Sequence, residues 1–517
     1  MPQKSMEFTR RDFLKSASLY AAGLFGAAIQ PGLQRSSQGD EESPNVIILV
    51  FDTLSARHLS LYGYPRETSP HLVRFAERAT VYHRHYAAGN FTSPGTASLL
   101  TGTYPWTHRA FQQAGVILRN LTDQNLFRLM DGSYQKAAFA QNIWADLFLY
   151  QFAKDIDVHV KSTAYSLDEF IHYNDGLWER DPLIAFRSYE EFLEQDYGIP
   201  GSLYLSFVDK LRTFLANEFG YKDLRKQYPR GIPNFIKYKL YFLLEQVIDG
   251  VAREIAALQS PFLGYYHFWS PHEPYFPHRR FIGMFDDGWN PAPKERHPLS
   301  SDTPQDELDR ARLEYDEYVA NVDAEFGRLY DHLQDAGILD NSYLIVTSDH
   351  GQLFERGVHG HVTPLLSEAL IHVPLLISVP GQSGRRDIHS PTSCVDLLPT
   401  LLKITGASAP DWLEGTLLPG LGGEEPTGQP VFAIEAKKNP SLRPITQATI
   451  AMIQANYKLL WYTGYPGYDD VYELYDLEND PEELVDLANS HPDIVLSMGN
   501  ELKMRLTEAD RPFQPPA

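Results

Sequence analysis

The sequence has very little cysteine and a shortage of positive charge. Its 517 residues include a single cysteine, Cys394, which excludes an internal disulfide and a cysteine-based zinc site. Lysine and arginine number 45 against 67 acidic residues, which gives a formal net charge of −22. This balance argues against nucleic acid or an anionic membrane as the main partner. An anionic substrate stays open, because one bound cation inverts the local field.

Long apolar runs are missing near the N-terminus. The apolar stretch from Ala17 to Ile29 falls far short of the roughly 20 residues that a spanning helix needs, so no transmembrane segment is predicted. It follows Arg10 and Arg11 in the segment FTRRDFLK, and the combination resembles a twin-arginine export signal. We therefore predict that residues 1–44 are an export signal and linker. The predicted location is periplasmic or extracellular.

Apolar strands that end in polar residues recur along the chain. NVIILVFDT ends at Asp52, SYLIVTSDHG ends at Asp349 and His350, and PFLGYYHFWSPHEPY runs into a polar loop. Because such strands alternate with helical patterns, we predict an α/β fold whose mostly parallel sheet is covered on both faces. Shorter strands with an antiparallel character follow from about residue 430. The predicted organisation is a catalytic domain at 45–425, with an elaborating insert at 145–255, and a smaller C-terminal α+β subdomain at 426–517.

The strand-end residues suggest a metal site. Sites in parallel α/β sheets form at the carboxyl ends of the strands, where Asp52, Asp349 and His350 are expected to meet. Two carboxylates and one imidazole suit a single divalent cation, and Ca²⁺, Mg²⁺, Mn²⁺ and Zn²⁺ all remain open on these residues. The segment NFTSPGTASLLTG supplies hydroxyls at Thr92 and Ser93, just before a predicted short helix that Gly102 ends. A metal-bound hydroxyl loses its proton more readily and becomes a nucleophile.

These motifs, taken in order, resemble the sulfatase branch of the alkaline phosphatase superfamily. The similarity covers about 45–130 and 255–490 and includes NVIILVFDT, TSPGTASLLTGTYP, HFWSPHEPY, YLIVTSDHGQLFERGVHGH and ELYDLENDPEELVDLA. It implies an alkaline-phosphatase-like three-layer α/β/α sandwich. It also implies one metal ion, calcium by family, held by Asp52, Asp349 and His350. His272 is implied as the active-site histidine, which suits protonation of a leaving oxygen.

The nucleophile segment departs from the family pattern. Aligned on SLLTG, the nucleophile position falls on Thr92 instead of a Cys or Ser that is converted to formylglycine, and Thr96 replaces an arginine. Asn142 stands near the place of another positive family residue, and His359 and His361 are candidate replacements for the missing anion contacts. Relatives with an unmodified threonine resemble phosphodiesterases and phosphoethanolamine or glycerophosphate transferases.

The leading hypothesis is a sulfatase-family, metal-dependent hydrolase that cleaves a sulfate or phosphate ester through Thr92. One alternative is a phosphodiesterase, or a transferase of the phosphoethanolamine or glycerophosphate type. A second alternative is a relative without catalytic activity that binds an anionic group. The expected partner is a small anionic ester. Whether a glycan or a lipid head group carries this ester is left open by the sequence.

Overall fold

The structure is a computed structural model that describes residues 43–167, 221–235, 240–425 and 429–514, together with residues 203, 204, 207, 210, 211 and 214. The predicted export signal lies outside the described residues, as do residues 168–202 of the predicted insert. Among the described helices, none combines the length and the apolar character that crossing a bilayer requires.

The strands, in chain order, are β1 (Asn45–Phe51), β2 (Thr80–Tyr82), β3 (His85–Tyr86), β4 (Gln135–Ala140), β5 (Val158–Val160), β6 (Asn234–Phe235), β7 (Leu240–Tyr241), β8 (Phe262–Phe268), β9 (Ser342–Thr347), β10 (Leu353–Glu355), β11 (Val358–Gly360), β12 (Leu375–Ser378), β13 (Arg386–Ile388), β14 (Thr392–Ser393), β15 (Val431–Glu435), β16 (Ala448–Gln454), β17 (Tyr457–Thr463) and β18 (Val471–Asp476). The α-helices are α1 (Pro70–Ala76), α2 (Thr92–Thr101), α3 (Pro105–His108), α4 (Leu126–Leu129), α5 (Ile143–Gln151), α6 (Leu224–Gln227), α7 (Leu244–Ala257), α8 (Gln305–Asp335), α9 (Glu368–Ile371), α10 (Leu397–Ile404) and α11 (Pro492–Asp510).

The central sheet has the strand order β13-β2-β12-β9-β1-β8-β4-β5. Strand β12 is antiparallel to both of its neighbours, and the other pairs in this sheet are parallel. The strands at its centre are mostly apolar and almost wholly buried, because both of their faces are covered. The mostly parallel α/β sheet predicted from the sequence is confirmed.

Strand β1 shows how the sheet separates two apolar layers. Ile47, Leu49 and Phe51 pack in one cluster with residues of α1, α7 and α8. Val46, Ile48 and Val50 of the same strand pack in another, with residues of α2, α5 and α10. Full burial of each such side chain stabilises the fold by about 1.5–3 kcal/mol. The middle strands are therefore a rigid support for the residues that follow their carboxyl ends.

A second sheet forms the C-terminal part of the chain. Strands β15, β16, β17 and β18 pair in that order, each antiparallel to the next. Met498, Leu502 and Leu506 of α11 pack with apolar residues of these strands. The smaller C-terminal α+β subdomain predicted from the sequence is therefore confirmed, while its predicted boundary at residue 426 stays a prediction.

Candidate active site

Four neighbouring strands of the central sheet bring polar residues to one edge. In the parallel register Val50 of β1 lies beside both His267 of β8 and Thr347 of β9, and Ala140 of β4 also lies beside His267. The chain then leaves the sheet within one or two residues of each position. As a result Asp52, Asn142 and Asp349 are delivered to the same place as His267.

Two carboxylates and two imidazoles form a tight cluster at this edge, here called the acid–imidazole cluster (Asp52, His267, Asp349, His350). Nε2 of His267 lies 3.6 Å from Oδ2 of Asp52 and 3.6 Å from Oδ2 of Asp349. Nε2 of His350 lies 3.4 Å from Oδ1 of Asp52 and 3.5 Å from Oδ2 of Asp349. His267 was not among the residues predicted from the sequence.

The cluster has unsatisfied polar atoms at its centre. Asp52 Oδ1, Asp349 Oδ2 and His267 Nε2 are buried and have no hydrogen-bond partner among the described residues. Ligand atoms of Asp52, His267 and Asp349 all lie within 4.8 Å of one another. Buried polar groups are normally paired, so three unpartnered atoms that converge are the arrangement a cation would satisfy. The residues therefore fit the divalent metal that the family resemblance implies.

Electrostatics lead to the same conclusion. Burial raises the pKa of Asp349, and the neighbouring charge of Asp52 raises it further. Burial also opposes ionisation of Asp52, but the nearby His267, His272 and His350 lower the pKa of this carboxyl. Two carboxylates buried side by side resist ionising together unless a positive charge lies beside them.

Helix α2 places Thr92 against the cluster. The helix begins at Thr92 itself, whereas the sequence predicted that Thr92 and Ser93 lie just before it, and Gly102 ends it in the left-handed conformation. A side chain at Gly95 would lie 2.1 Å from the backbone oxygen of Asp349, so glycine permits this close approach. Thr92 Oγ1 lies 3.5 Å from Nε2 of His350.

Asn142 connects the nucleophile candidate to the cluster. Its Nδ2 donates to Asp52 Oδ2 and, over 3.2 Å, to Thr92 Oγ1. Its Oδ1 accepts from the backbone nitrogen of Trp144, which caps α5 and fixes the side chain. Asn142, predicted as a substrate-binding residue, thus contacts Asp52 and Thr92 directly.

A cavity of about 490 Å³ opens beside these residues. Its lining includes Asn142, His272, His359 and His361, four of the residues predicted from the sequence. Two indoles also line it, and none of its described lining residues is a lysine or an arginine.

His272 and His361 lie side by side in the cavity wall. Their ring centroids are 4.8 Å apart, and the ring of His361 lies 4.6 Å from that of His350. His272 Nδ1 donates to the carbonyl of Glu273, which leaves Nε2 to exchange a proton. His361 Nδ1 is 2.7 Å from Oε1 of Gln352, and burial lowers the pKa of His361 well below its usual value.

Two other predicted substrate residues have different surroundings. His359 is partly exposed, with Nε2 3.7 Å from Oε2 of Glu273 and 3.4 Å from the Tyr275 hydroxyl. Thr96 is buried inside α2 and is not one of the described residues that line the cavity. The chemical roles of all the predicted site residues stay predictions.

Comparison with known proteins assigns the family. The family model described as Sulfatase matches residues 44–407, and the one described as N-sulphoglucosamine sulphohydrolase, C-terminal, matches residues 357–511. The choline-sulfatase of Rhizobium meliloti is 24% identical over 86% of this chain and 83% of its own length. The N-acetylgalactosamine-6-sulfatase of Canis lupus familiaris is 24% identical over 80% and 70% of the two chains.

Solved structures share the fold. The phosphonate monoester hydrolase of Agrobacterium radiobacter superposes with a TM-score of 0.61 at 19% identity and covers 90% of this chain and 96% of its own. A 2-O glycosaminoglycan sulfatase also has a TM-score of 0.61, at 16% identity, covering 91% and 93% of the two chains. The fold is thus the α/β sandwich of the sulfatases, as the sequence resemblance implied.

The matched family model and the relatives, which are enzymes acting on sulfuric or phosphoric esters, define the class of protein as a hydrolase of such esters. Since one family model covers more than half of the sequence, the chain belongs to the sulfatase family.

Proposed function

We propose that the protein is a metal-dependent hydrolase that cleaves a singly charged sulfate or phosphorus ester through Thr92. The observation that carries the proposal is the convergence of the unpartnered atoms of Asp52, Asp349 and His267 beside the Thr92 hydroxyl. A non-catalytic binding protein would have no need of a hydroxyl at the first position of a helix aimed at buried carboxylates.

The residues divide the work of ester cleavage. When bound, a divalent cation would neutralise the two carboxylates and make the Thr92 hydroxyl more acidic. Thr92 Oγ gives its proton to His272 Nε2, which is free to accept one because Nδ1 donates to the carbonyl of Glu273. Thr92 Oγ then attacks sulfur or phosphorus, the bond to the leaving oxygen breaks, and His272 Nε2 passes the same proton to that oxygen. Water then releases the group from Thr92.

Asn142 and α2 stabilise the charge that develops during attack. The Nδ2 of Asn142 is within hydrogen-bond distance of Thr92 Oγ1 and holds this oxygen in one orientation. The backbone N–H groups at the start of α2 present the positive end of the helix dipole to the reacting group. These contributions need no positively charged side chain.

The charge of the cavity selects the substrate. Because none of the described lining residues is a lysine or an arginine, the site has little positive charge beyond a bound cation. Sulfate monoesters, phosphodiesters and phosphonate monoesters each carry one negative charge, whereas phosphate monoesters carry about two near neutral pH. Two relatives are named as a choline-sulfatase and a phosphonate monoester hydrolase, and the esters in these names belong to the singly charged classes.

A phosphodiesterase, or a transferase that passes the group from Thr92 to an alcohol, is the second candidate. The unmodified threonine favours it, because threonine cannot become the formylglycine on which the usual sulfatase chemistry depends. Formation of a new ester between the transferred group and an added acceptor alcohol, in place of the product that water would give, would identify transfer instead of hydrolysis.

The test is a substrate panel with matched variants. Wild type, Thr92→Ala and Ser93→Ala are assayed against a nitrophenyl sulfate, phosphodiester, phosphonate monoester and phosphate monoester. We expect Thr92→Ala to lower kcat/KM by about 10³-fold or more, with Ser93→Ala close to wild type. Equal turnover by wild type and Thr92→Ala would reject the nucleophile, and a preference for the phosphate monoester would reject the charge argument.

We also propose export by the twin-arginine route, on the strength of Arg10 and Arg11 ahead of the short apolar stretch. Cell fractionation should find the wild type outside the cytoplasm. The variant with both arginines changed to lysine should stay inside, and wild-type retention in the cytoplasm would contradict the proposal.

A further inference from the structure

His267 occupies a place where a histidine is costly unless it binds something. It is the sixth residue of β8, in the middle of the central sheet, and its side chain has no exposure to solvent. Its Nε2 is 3.6 Å from one oxygen of Asp52 and one of Asp349, which is too long for a hydrogen bond. A buried nitrogen without a partner lowers stability, so its presence calls for a ligand.

Other buried histidines of this chain show how a structural histidine is satisfied. His108 Nε2 lies 3.0 Å from the Ser98 hydroxyl, and its Nδ1 accepts from the backbone nitrogen of Ala110. Both ring nitrogens of His108 are therefore paired. In His267 only Nδ1 has a partner, the Tyr265 hydroxyl at 3.1 Å.

The Tyr265 contact orients the His267 ring toward the carboxylates. Metal-binding histidines hold their second ring nitrogen in a hydrogen bond, which fixes the tautomer and the ring angle. If Nδ1 donates its proton to the Tyr265 oxygen, Nε2 carries the lone pair. His350 has the same arrangement, since its Nδ1 donates to the carbonyl of Gly351 over 2.9 Å.

The donor set then contains two imidazole nitrogens and two carboxylates. Calcium prefers six to eight oxygen ligands, whereas imidazole suits zinc, manganese, iron and similar ions. We propose that His267 is a metal ligand and that, together with His350, it makes the site prefer a first-row transition metal to calcium. This inference rests on the cation site of the proposed function and names the ion class that the site takes. It departs from the calcium that the family resemblance implied.

The direct test is competitive metal loading. Wild type, His267→Asn, His267→Asp and the control His108→Gln are stripped of metal and dialysed against equal concentrations of Ca²⁺, Mn²⁺ and Zn²⁺, and bound metal is measured by mass spectrometry. We expect wild type and His108→Gln to take up one transition-metal ion per chain with little calcium. Transition-metal affinity should fall at least about tenfold in His267→Asn, and His267→Asp should shift the ratio toward calcium.

Tyr265→Phe tests the positioning contact. It keeps the ring but removes the oxygen that would accept from His267 Nδ1, so we expect transition-metal affinity to fall about 10-fold or more. The absorption spectrum of the Co²⁺-loaded protein should change in intensity in the same variant. If both the metal affinity and the Co²⁺ spectrum stayed unchanged, Tyr265 would have no role in positioning His267.

X-ray absorption on the zinc-loaded wild type needs no variant to fold. A spectrum that shows two imidazoles bound to zinc supports the proposal, and a spectrum that shows one or none overturns it. A wild type that prefers calcium would also overturn it, yet would leave the proposed function intact. The proposed function itself fails separately if wild type retains no divalent cation and Asp349→Ala keeps full activity.

Discussion

The protein buries two groups of charged side chains, here called matched where a positively charged side chain accompanies the carboxylates and unmatched where none does. The first group is the acid–imidazole cluster at the edge of the central sheet. The second lies where the C-terminal sheet meets the rest of the chain: Lys458 of β17 is fully buried, with Nζ 3.0 Å from Glu368 and 2.8 Å from Glu483. The ammonium of Lys458 stays charged, since burial lowers its pKa but the two carboxylates raise it more.

The difference separates a structural group from a functional one. Around Lys458 the protein supplies both signs of charge, so the group holds two parts of the fold together without any ligand. Around Asp52 and Asp349 it supplies two carboxylates and only neutral or weakly basic partners. We therefore expect the matched group to be complete without a ligand and costly to break, and the unmatched group to be completed by binding.

Removing a carboxylate from the unmatched group should have the largest effect on activity. We expect Asp349→Ala to lower kcat/KM by on the order of 10⁴-fold, because a cation ligand and its charge are lost. The free energy of unfolding of the metal-free protein should stay within about 1 kcal/mol of wild type, since a like-charge repulsion also disappears. Steady-state assays and urea unfolding give the two numbers. Strong destabilisation of the metal-free variant would instead indicate that Asp349 has a structural role.

Removing the cation from the matched group should have the opposite effect. Lys458→Met leaves two buried carboxylates without their partner, and we expect a loss of stability of about 3–5 kcal/mol. The activity of each folded molecule should be close to wild type. Addition of Glu368→Gln should restore part of the stability, because it removes one of the unpaired charges. An unchanged unfolding midpoint for Lys458→Met would contradict this account.

A neutral residue next to the cluster should have a smaller effect. Asn142→Ala removes the donor to Asp52 and Thr92 but no charge, so we expect kcat/KM to fall about 10–100-fold. The change should fall mainly on kcat, because the donor orients the nucleophile more than it binds the substrate. An effect confined to KM would place Asn142 in substrate binding alone.

Buried histidines that are already paired should affect only the pH dependence of stability. Burial lowers the pKa of His85, His108 and His372 to about 3. The unfolded chain binds more protons there than the folded chain, so their stabilisation is complete above about pH 6.5 and is lost as pH falls toward 3. His108→Gln should flatten the slope of stability against pH between 6 and 4 by about 1.4 kcal/mol per pH unit. Equal slopes for variant and wild type would contradict the prediction.

The sequence was informative wherever a strand ended in an unusual residue. Asp52 and Asp349 could be placed together because both follow apolar runs, and parallel strands bring such ends to one edge. The antiparallel C-terminal sheet could also be predicted, because its strands are short and closely spaced in the chain.

His267 could not be found in the same way because it lies within an apolar run and not after it. The period of the strand identifies only which face the residue occupies, and the register with β1 is what places its ring beside Asp52. The sequence also predicted too late a start for α2, because the close contact that shapes it comes from a distant part of the chain. Pro94 and Gly95 are typical of turns, but here Gly95 permits the helix to approach the backbone of Asp349.

Counting bound metal shows whether a cation completes the unmatched charge group. Purified wild type, Lys458→Met and Asp349→Ala are dialysed in one buffer containing divalent cations, and metal per chain is measured. We expect one ion in wild type, one in Lys458→Met and none in Asp349→Ala. Wild type without a bound ion, or the same content in all three proteins, would contradict it.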